Sequence, residues 1–386
     1  MTGGRDRKYQ RPQAVASVRR SLIILADDLT GACDAAVAFA SSCDPVRVHI
    51  NSELNSEPSE AACVQAITTE SRDLPVTEAE TRLQSIAERL PPNAELFKKI
   101  DSVFRGNTVV EIAATLFHAR YDLAVLAPAY PALGRTVREG ILHVHEAGGD
   151  RAVPIAELLA NAGCSLTALS ADLSADELAV TLRRCLSDST PAVLCDSASQ
   201  SDLARIVFAA RSLGEKILWI GSGGLAHALS AEPGPPNPKP AAHPRPGSTI
   251  FFIGTQHPVT RAQVEHLRNS TIAKRGSTAT SAPTTDLLIP IMLNETSADV
   301  RRAVAIHDPA QIGCLFMTGG DTAHFVCRSL GIHALRLQSE FAPGIPLAIA
   351  EGGPFDGVPV VLKSGGFGEP DLLCRLLETC RPEVIA

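Results

Sequence analysis

Aromatic residues make up only 4% of this 386-residue chain, and basic residues are outnumbered, 35 Lys and Arg against 42 Asp and Glu. That balance excludes a global basic field of the kind that recruits nucleic acid. A phosphate-bearing ligand must then be held by local devices: glycine loops, helix N-termini or a few Lys and Arg side chains. No apolar run approaches the length of a membrane span, so no membrane partner is expected. The first twenty residues carry Arg5, Arg7, Lys8, Arg11, Arg19 and Arg20 without an apolar segment long enough for a signal peptide, and they read as a flexible basic tail. None of the ten cysteines has CxxC spacing; neither a zinc site nor a disulfide framework is expected, and scattered thiols fit a reducing cytoplasm. His143 and His145 form a His-x-His pair with no third ligand nearby and read as structural, so no metal-ligand set is assigned.

What the chain does have is alternation. From Ser21 onward short apolar runs alternate with amphipathic stretches, the pattern of doubly wound α/β sheets. Strands are expected at 46–50, 61–68, 95–102, 123–127, 216–220, 249–253, 287–292, 314–317 and 358–362, besides the first at 21–26. Residues from about 137 to about 200 read as mixed elements, and no element is assigned at 331–357. The clearest boundary is 232–247, where seven prolines make an extended connector. The expected organisation is a tail at 1–20, an α/β domain at 21–231, the linker at 232–247 and a second α/β domain at 248–386, with a cleft between the two domains.

The run Ser21 to Gly31 reads as a buried strand delivering two adjacent aspartates, Asp27 and Asp28, to the start of a helix. Ligands in open α/β sheets bind at such strand ends, so the pair suits a proton acceptor, a hydroxyl anchor or a metal ligand. The plainer alternative is that Asp28 caps the helix and Asp27 faces solvent. Other strand ends add Arg72, Lys99, Asp101, Ser102 and Arg105, a mixture that fits a small hydroxylated anion. Arg72 would grip a carboxylate bidentately and Lys99 add a point charge, although Lys98-Lys99 with Asp101 also reads as a surface ion-pair cluster.

In the second domain two glycine-rich loops follow strands, Thr318-Gly319-Gly320 and Gly365-Gly366, with Lys363 near the phosphates they would cradle. Neither matches GxxxxGK[ST], so this is not an ordinary P-loop. Gly221 to Ala226 fits the weak GxGxxA dinucleotide pattern, but the acidic residue expected about twenty positions on falls in the proline linker. A nicotinamide enzyme is therefore a poor second choice.

ADDLTGACD (26–34), KKIDSVFRGN (98–107), APAYPALGRT (127–136), GSGGLA (221–226), HPVTRAQ (257–263), TGGDTA (318–323), PGIP (343–346) and KSGGFG (363–368) follow the order of motifs in the four-carbon acid sugar kinases, which the chain resembles from about residue 21 to 370. The resemblance implies an amino-terminal sugar-acid domain, a carboxyl-terminal nucleotide domain, and phosphorylation of D-threonate, D-erythronate or a 3-oxo-tetronate by ATP. It implies substrate contacts at Asp28, Arg72 and the run Lys99-Ile100-Asp101-Ser102, and ATP contacts at Thr255, Gly319, Gly320, Asp321 and Gly365. The expectation is a cytoplasmic sugar-acid kinase using ATP and Mg²⁺, with Asp28 or Asp101 as the catalytic carboxylate. Its partners would be the sugar acid and ATP, with a homo-oligomer left open. The alternative is a sugar-acid sensor that does not use ATP.

Overall fold

The computed structural model describes residues 21–50, 64–146, 149–187, 192–231, 243–270, 287–290 and 296–381. The expected basic tail, positions 61–63 and 291–292 of two expected strands, and 232–242 of the linker lie outside the described residues.

β1 (Leu22–Ala26) is buried along its whole length, as a strand covered on both faces must be. It hands the chain to Asp28, whose carboxylate caps α1 (Leu29–Val37) by accepting from the Gly31 amide at 2.7 Å. Glycine is required at 31 because a Cβ there would lie 2.6 Å from the same carboxylate oxygen. The first half continues through β2 (Val46–His49), β3 (Val64–Thr68), α2 (Val76–Ala87), β4 (Glu95–Lys99), α3 (Thr108–His118) and β5 (Leu123–Ala127). A separate antiparallel meander follows, β6 (Arg135–Arg138), β7 (Ile141–Val144) and β8 (Arg151–Pro154). Then come α4 (Ile155–Asn161), β9 (Thr167–Leu169), α5 (Ala175–Ser187), β10 (Ala192–Cys195), α6 (Gln200–Arg211), β11 (Ile217–Gly221) and α7 (Gly223–Ser230).

The second half holds β12 (Ser248–Ile253), α8 (Pro258–Asn269), β13 (Leu287–Pro290), α9 (Ser297–Val304), β14 (Ile312–Thr318) and α10 (Gly320–Ser329). It closes with the hairpin β15 (Ala334–Ala342) and β16 (Ile345–Glu351), then β17 (Pro359–Lys363) and α11 (Leu372–Thr379). At the start of this half, the described end of the expected linker is already packed on it. Arg245 donates through Nε to the Ile312 carbonyl at 2.8 Å and through Nη2 to the Pro309 carbonyl at 2.7 Å.

Eight parallel strands in the order β2-β3-β1-β4-β11-β5-β10-β9 form the first sheet. In the second, β13-β12-β14-β17 run parallel and the hairpin β16-β15 adds antiparallel to β17. Two α/β domains with a cleft between them result. The hairpin is the element the sequence pattern left unassigned, and it joins the halves. β15 pairs antiparallel with β2, Ala334 opposite His49 through Arg336 opposite Arg47, making one continuous sheet of fourteen strands. Glu351 braces the seam from Arg47 Nε at 2.9 Å and Arg336 Nε at 3.3 Å. One apolar core follows the sheet across both halves, with a smaller cluster beneath α8 and α11.

Among the described residues eight cysteines carry no disulfide, seven of them buried. Cys43 is disulfide-bonded, which corrects the expectation of thiols alone.

Candidate active site

Each half has a topological switch point. β1 and β4 are neighbours whose onward connections diverge, one towards β3 and the other towards β5; β12 and β14 diverge in the same way. Crevices of this kind are where open α/β sheets bind ligands. The first holds Asp27, Asp28 and the run Lys99 to Ser102, and the second holds Gly254-Thr255 and Thr318 to Asp321.

Arg72, in the loop after β3, is the hub of the first crevice. Its Nε and Nη2 donate to the two oxygens of Asp27 at 2.7 and 3.0 Å, and Nη1 donates to Asp28 Oδ2 at 2.6 Å. Nη2 also stands 3.7 Å from Asp101. Adjacent residues within a strand point to opposite faces, but β1 ends at Ala26 and both carboxylates turn onto one guanidinium. Asp28 therefore does cap α1, while Asp27 is buried instead of facing solvent. The bidentate fork expected to grip a substrate is already given to Asp27. Asn107 fixes the Arg72 loop by donating to the carbonyls of Ser71 and Leu74, each at 2.8 Å.

Asp101 belongs to Arg105. Arg105 Nε and Nη2 reach its oxygens at 3.0 and 2.6 Å, and the amides of Arg105 and Val103 add bonds at 3.0 and 3.3 Å. Burial disfavours the ionised form, but the Arg105 guanidinium and Arg72 outweigh it and hold this carboxyl well below the usual range. Lys98 and Lys99 obey strand alternation. Lys98 Nζ pairs with Glu111 at 2.7 Å on one buried face, and Lys99 Nζ lies 3.2 Å from the Ile100 carbonyl and 3.5 Å from Asp34 on the other. Neither lysine is at the surface, so the alternative of a solvated ion-pair cluster is set aside. Ile100 is buried in the core beside them.

Across the cleft, Gly319 has φ +96°, a conformation that favours glycine, and its amide donates to the Lys363 carbonyl at 3.0 Å. Gly320 opens α10 directly against the first half: a Cβ on Gly320 would run into the Asp28 carboxylate. Asp321 sits in the first turn of α10, and Thr318 is buried beneath. Gly365 meets Thr255, whose hydroxyl oxygen would lie 2.8 Å from a Cβ there, and Gly366 meets the His257 ring. Lys363 is placed otherwise than expected. Its buried ammonium donates to Thr260 Oγ1 at 2.9 Å, the Ser364 carbonyl at 3.0 Å and the Gly365 carbonyl at 2.8 Å, and burial brings its pKa down to about 7. All three donors serve the protein, so Lys363 braces the loop, and Ser364 faces the cleft.

The cleft is thus lined from the first half by Asp28, Arg72, Lys99, Asp101, Ser102 and Arg105, all expected, together with Thr30, Gly31 and Asp34. The second half contributes Gly344, Pro346, Leu362, Ser364 and Phe367. Sequence reasoning did not pick out Asp34 or the hairpin tip as site residues, although both lie inside motifs it quoted, at the end of ADDLTGACD and in PGIP. Gly221 to Ala226 form a different junction: Gly224 packs on Tyr130 and the Ala129 carbonyl, leaving no room for a Cβ. These glycines serve close packing, which removes the case for a dinucleotide site.

Residues 22–229 match the sugar-binding N-terminal domain family and residues 290–373 the nucleotide-binding C-terminal domain family. The chain is 31% identical to a D-threonate kinase of Bordetella bronchiseptica, across 93% of this chain and 97% of that one. The chain belongs to the four-carbon acid sugar kinase family. A D-erythronate kinase of Heliobacterium modesticaldum is 25% identical to this kinase, over 93% of this chain and 96% of the relative. A solved Haemophilus influenzae protein shares the fold at 20% identity, with a TM-score of 0.65 over 93% of this chain and all of that one. As a member of this family the protein is an ATP-dependent sugar-acid phosphotransferase.

Proposed function

We propose that this kinase transfers the γ-phosphoryl group of ATP to the terminal hydroxyl of a four-carbon sugar acid, with D-threonate the first acid to try. The observation that carries the reading is the meeting of Asp28 with Gly320, which puts the carboxylate of the sugar-acid half against the helix N-terminus of the nucleotide half. Amides at Gly319 to Asp321 and the partial positive charge of α10 suit a phosphate chain. Thr255 and Gly365 form the facing wall. Lys99 and Arg105 keep donors to spare and hold the acid's carboxylate, while Arg72 keeps Asp28 in place and adds its remaining N–H groups.

Asp28 orients the acceptor hydroxyl and takes its proton as the new P–O bond forms, for Asp101 is held too firmly by Arg105 to serve as a base. Mg²⁺ would be held by one or two carboxylates plus phosphates and water, and Asp321 in the first turn of α10 would offer a carboxylate to it. Among the described residues no group of three or more His, Cys, Asp or Glu side chains is placed to hold a metal ion. The ion would neutralise charge on the phosphates. The reading places the enzyme in the cytoplasm, where ATP is supplied; among the described residues no helix is long and apolar enough to cross a membrane.

An ADP-release assay with D-threonate, D-erythronate and 3-oxo-tetronates tests the reading. Turnover of at least one acid, dependent on ATP and Mg²⁺, is expected. No release with any of them overturns it.

A further inference from the structure

The closed end of the cleft holds a carboxylate that the transfer step does not use. Asp34 lies six positions after Asp28 on α1, with its side chain 8% exposed, and lines the same space as Lys99. Its partners are few and far. Lys99 Nζ is 3.5 Å from Oδ2, and the Tyr130 hydroxyl donates to Oδ1 at 3.5 Å, the outer limit of a hydrogen bond. An ionised carboxylate has about four lone-pair sites, and leaving them poorly met in a buried place is unfavourable. Burial accordingly raises the Asp34 carboxyl above its ordinary range, with Lys99 pulling it back.

The walls around Asp34 come from both halves. The Tyr130 ring packs against His227 at 6.2 Å between centroids. His227 Nε2 stands 3.9 Å from Glu340 on β15, which accepts from the Gly344 amide at 2.8 Å. Gly344 turns the hairpin with φ +70°, and a Cβ there would lie 3.8 Å from Asp34 Oδ1 and 2.8 Å from the Phe367 ring. The hairpin tip therefore covers Asp34 and shuts this end of the cleft. A ligand reaching it meets one strong acceptor flanked by two donors.

We propose that Asp34, backed by Lys99 and Tyr130, reads the hydroxyl groups on the inner carbons of the sugar acid and so decides which stereoisomer is phosphorylated. This rests on the sugar-acid kinase reading, in which Asp28 handles the terminal hydroxyl. An inner hydroxyl turned towards Asp34 donates to it. An epimer, or an acid lacking that hydroxyl, leaves the carboxylate short of a donor in a covered place. Sites built to pair with a substrate hydroxyl discriminate strongly against analogues without it.

The test compares kcat/KM for the acid the enzyme turns over with that for its 2-deoxy and 3-deoxy analogues, in the wild type, Asp34→Asn, Asp34→Ala and Tyr130→Phe. The wild type should prefer the full acid over one deoxy analogue by roughly ten-fold or more. Asp34→Ala should abolish most of that preference by losing activity on the full acid, with KM for ATP unchanged. Asp34→Asn, which keeps the side-chain shape, should weaken the preference, and Tyr130→Phe should shift it in the same direction. A preference untouched in every variant, or equal losses on the full and deoxy acids, overturns the inference. Calorimetric binding of the same acids reads the same ratios without turnover. Failure of the wild type to release ADP would therefore count against the kinase reading alone.

Discussion

Asp27 and Arg72 are joined fork to fork, with Nε and Nη2 2.7 and 3.0 Å from the two carboxylate oxygens. The Asp27 side chain is 2% exposed and that of Arg72 18%, so this is an interior ion pair supporting the site. Its geometry explains why two consecutive aspartates are useful. Asp27 takes the fork, and Arg72 then offers Nη1 to Asp28 in a fixed direction.

Without Asp27, Arg72 keeps Asp28 on Nη1, but its buried Nε and Nη2 lose their charged acceptor. Asp27→Asn should lower the free energy of unfolding by roughly 3 kcal/mol and also depress activity, because Arg72 loses its anchor. Urea denaturation of the purified variant checks the first part. A midpoint within error of the wild type would show that Arg72 finds another partner.

The two candidate carboxylates should separate kinetically. Asp28→Asn should lower kcat by about 10²- to 10⁴-fold, the range for losing a positioned proton acceptor. Asp101→Asn should instead release Arg105, raising KM for the acid by roughly ten-fold while kcat changes less. Steady-state kinetics on both variants decides between them. A larger kcat loss for Asp101→Asn would reverse the assignment.

Gly320 tests the contact between the halves. A methyl group there meets the Asp28 carboxylate, so Gly320→Ala must push α10 and α1 apart. A displacement near 1 Å at reacting groups costs about 10² in rate. The expected outcome is a folded protein with kcat lowered on that order and a raised KM for ATP. Wild-type kinetics in this variant would remove Asp28 from the transfer step.

The sequence made some of this legible for definite reasons. β1, β5 and β11 are buried throughout, so they appear as unbroken apolar runs. The glycines at 319, 320 and 365 mark places where loops touch Asp28, Thr255 or the strand beside them. The hairpin was opaque because β15 is largely half-buried and pairs with β2, nearly three hundred positions earlier. Its role at the seam has no local signature. Lys98 and Lys99 look like surface charge in sequence, yet strand alternation sends each into a different buried pair. Lys363 misled in the opposite way: a lysine before a glycine loop invites a phosphate, but its donors close onto Thr260 and two carbonyls.

Glu70 gives a pH-dependent prediction. It follows β3 with φ +46°, accepts from the Thr68 hydroxyl and lies 3.6 Å from His324 Nδ1 on α10. Burial is the main cause that brings its pKa from 4.5 up to about 8; the Thr68 bond opposes the rise, and the charges of Asp28, Asp321 and Asp27 add to it. Burial lowers the pKa of His324, so at neutral pH it supplies no compensating charge. The folded state therefore binds this proton more tightly than the unfolded chain does. The stabilising contribution is complete below about pH 4.5 and is lost as pH rises to about 8. Glu70→Gln keeps a neutral side chain at every pH and should not show that loss. Relative to this variant the wild type should weaken steadily across the window, by no more than about 1.4 kcal/mol per pH unit. Unfolding free energies of both proteins at intervals from pH 5 to 9 make the comparison. Parallel curves would show that Glu70 ionises freely in the folded protein, and that the contact between β3 and α10 opens to solvent.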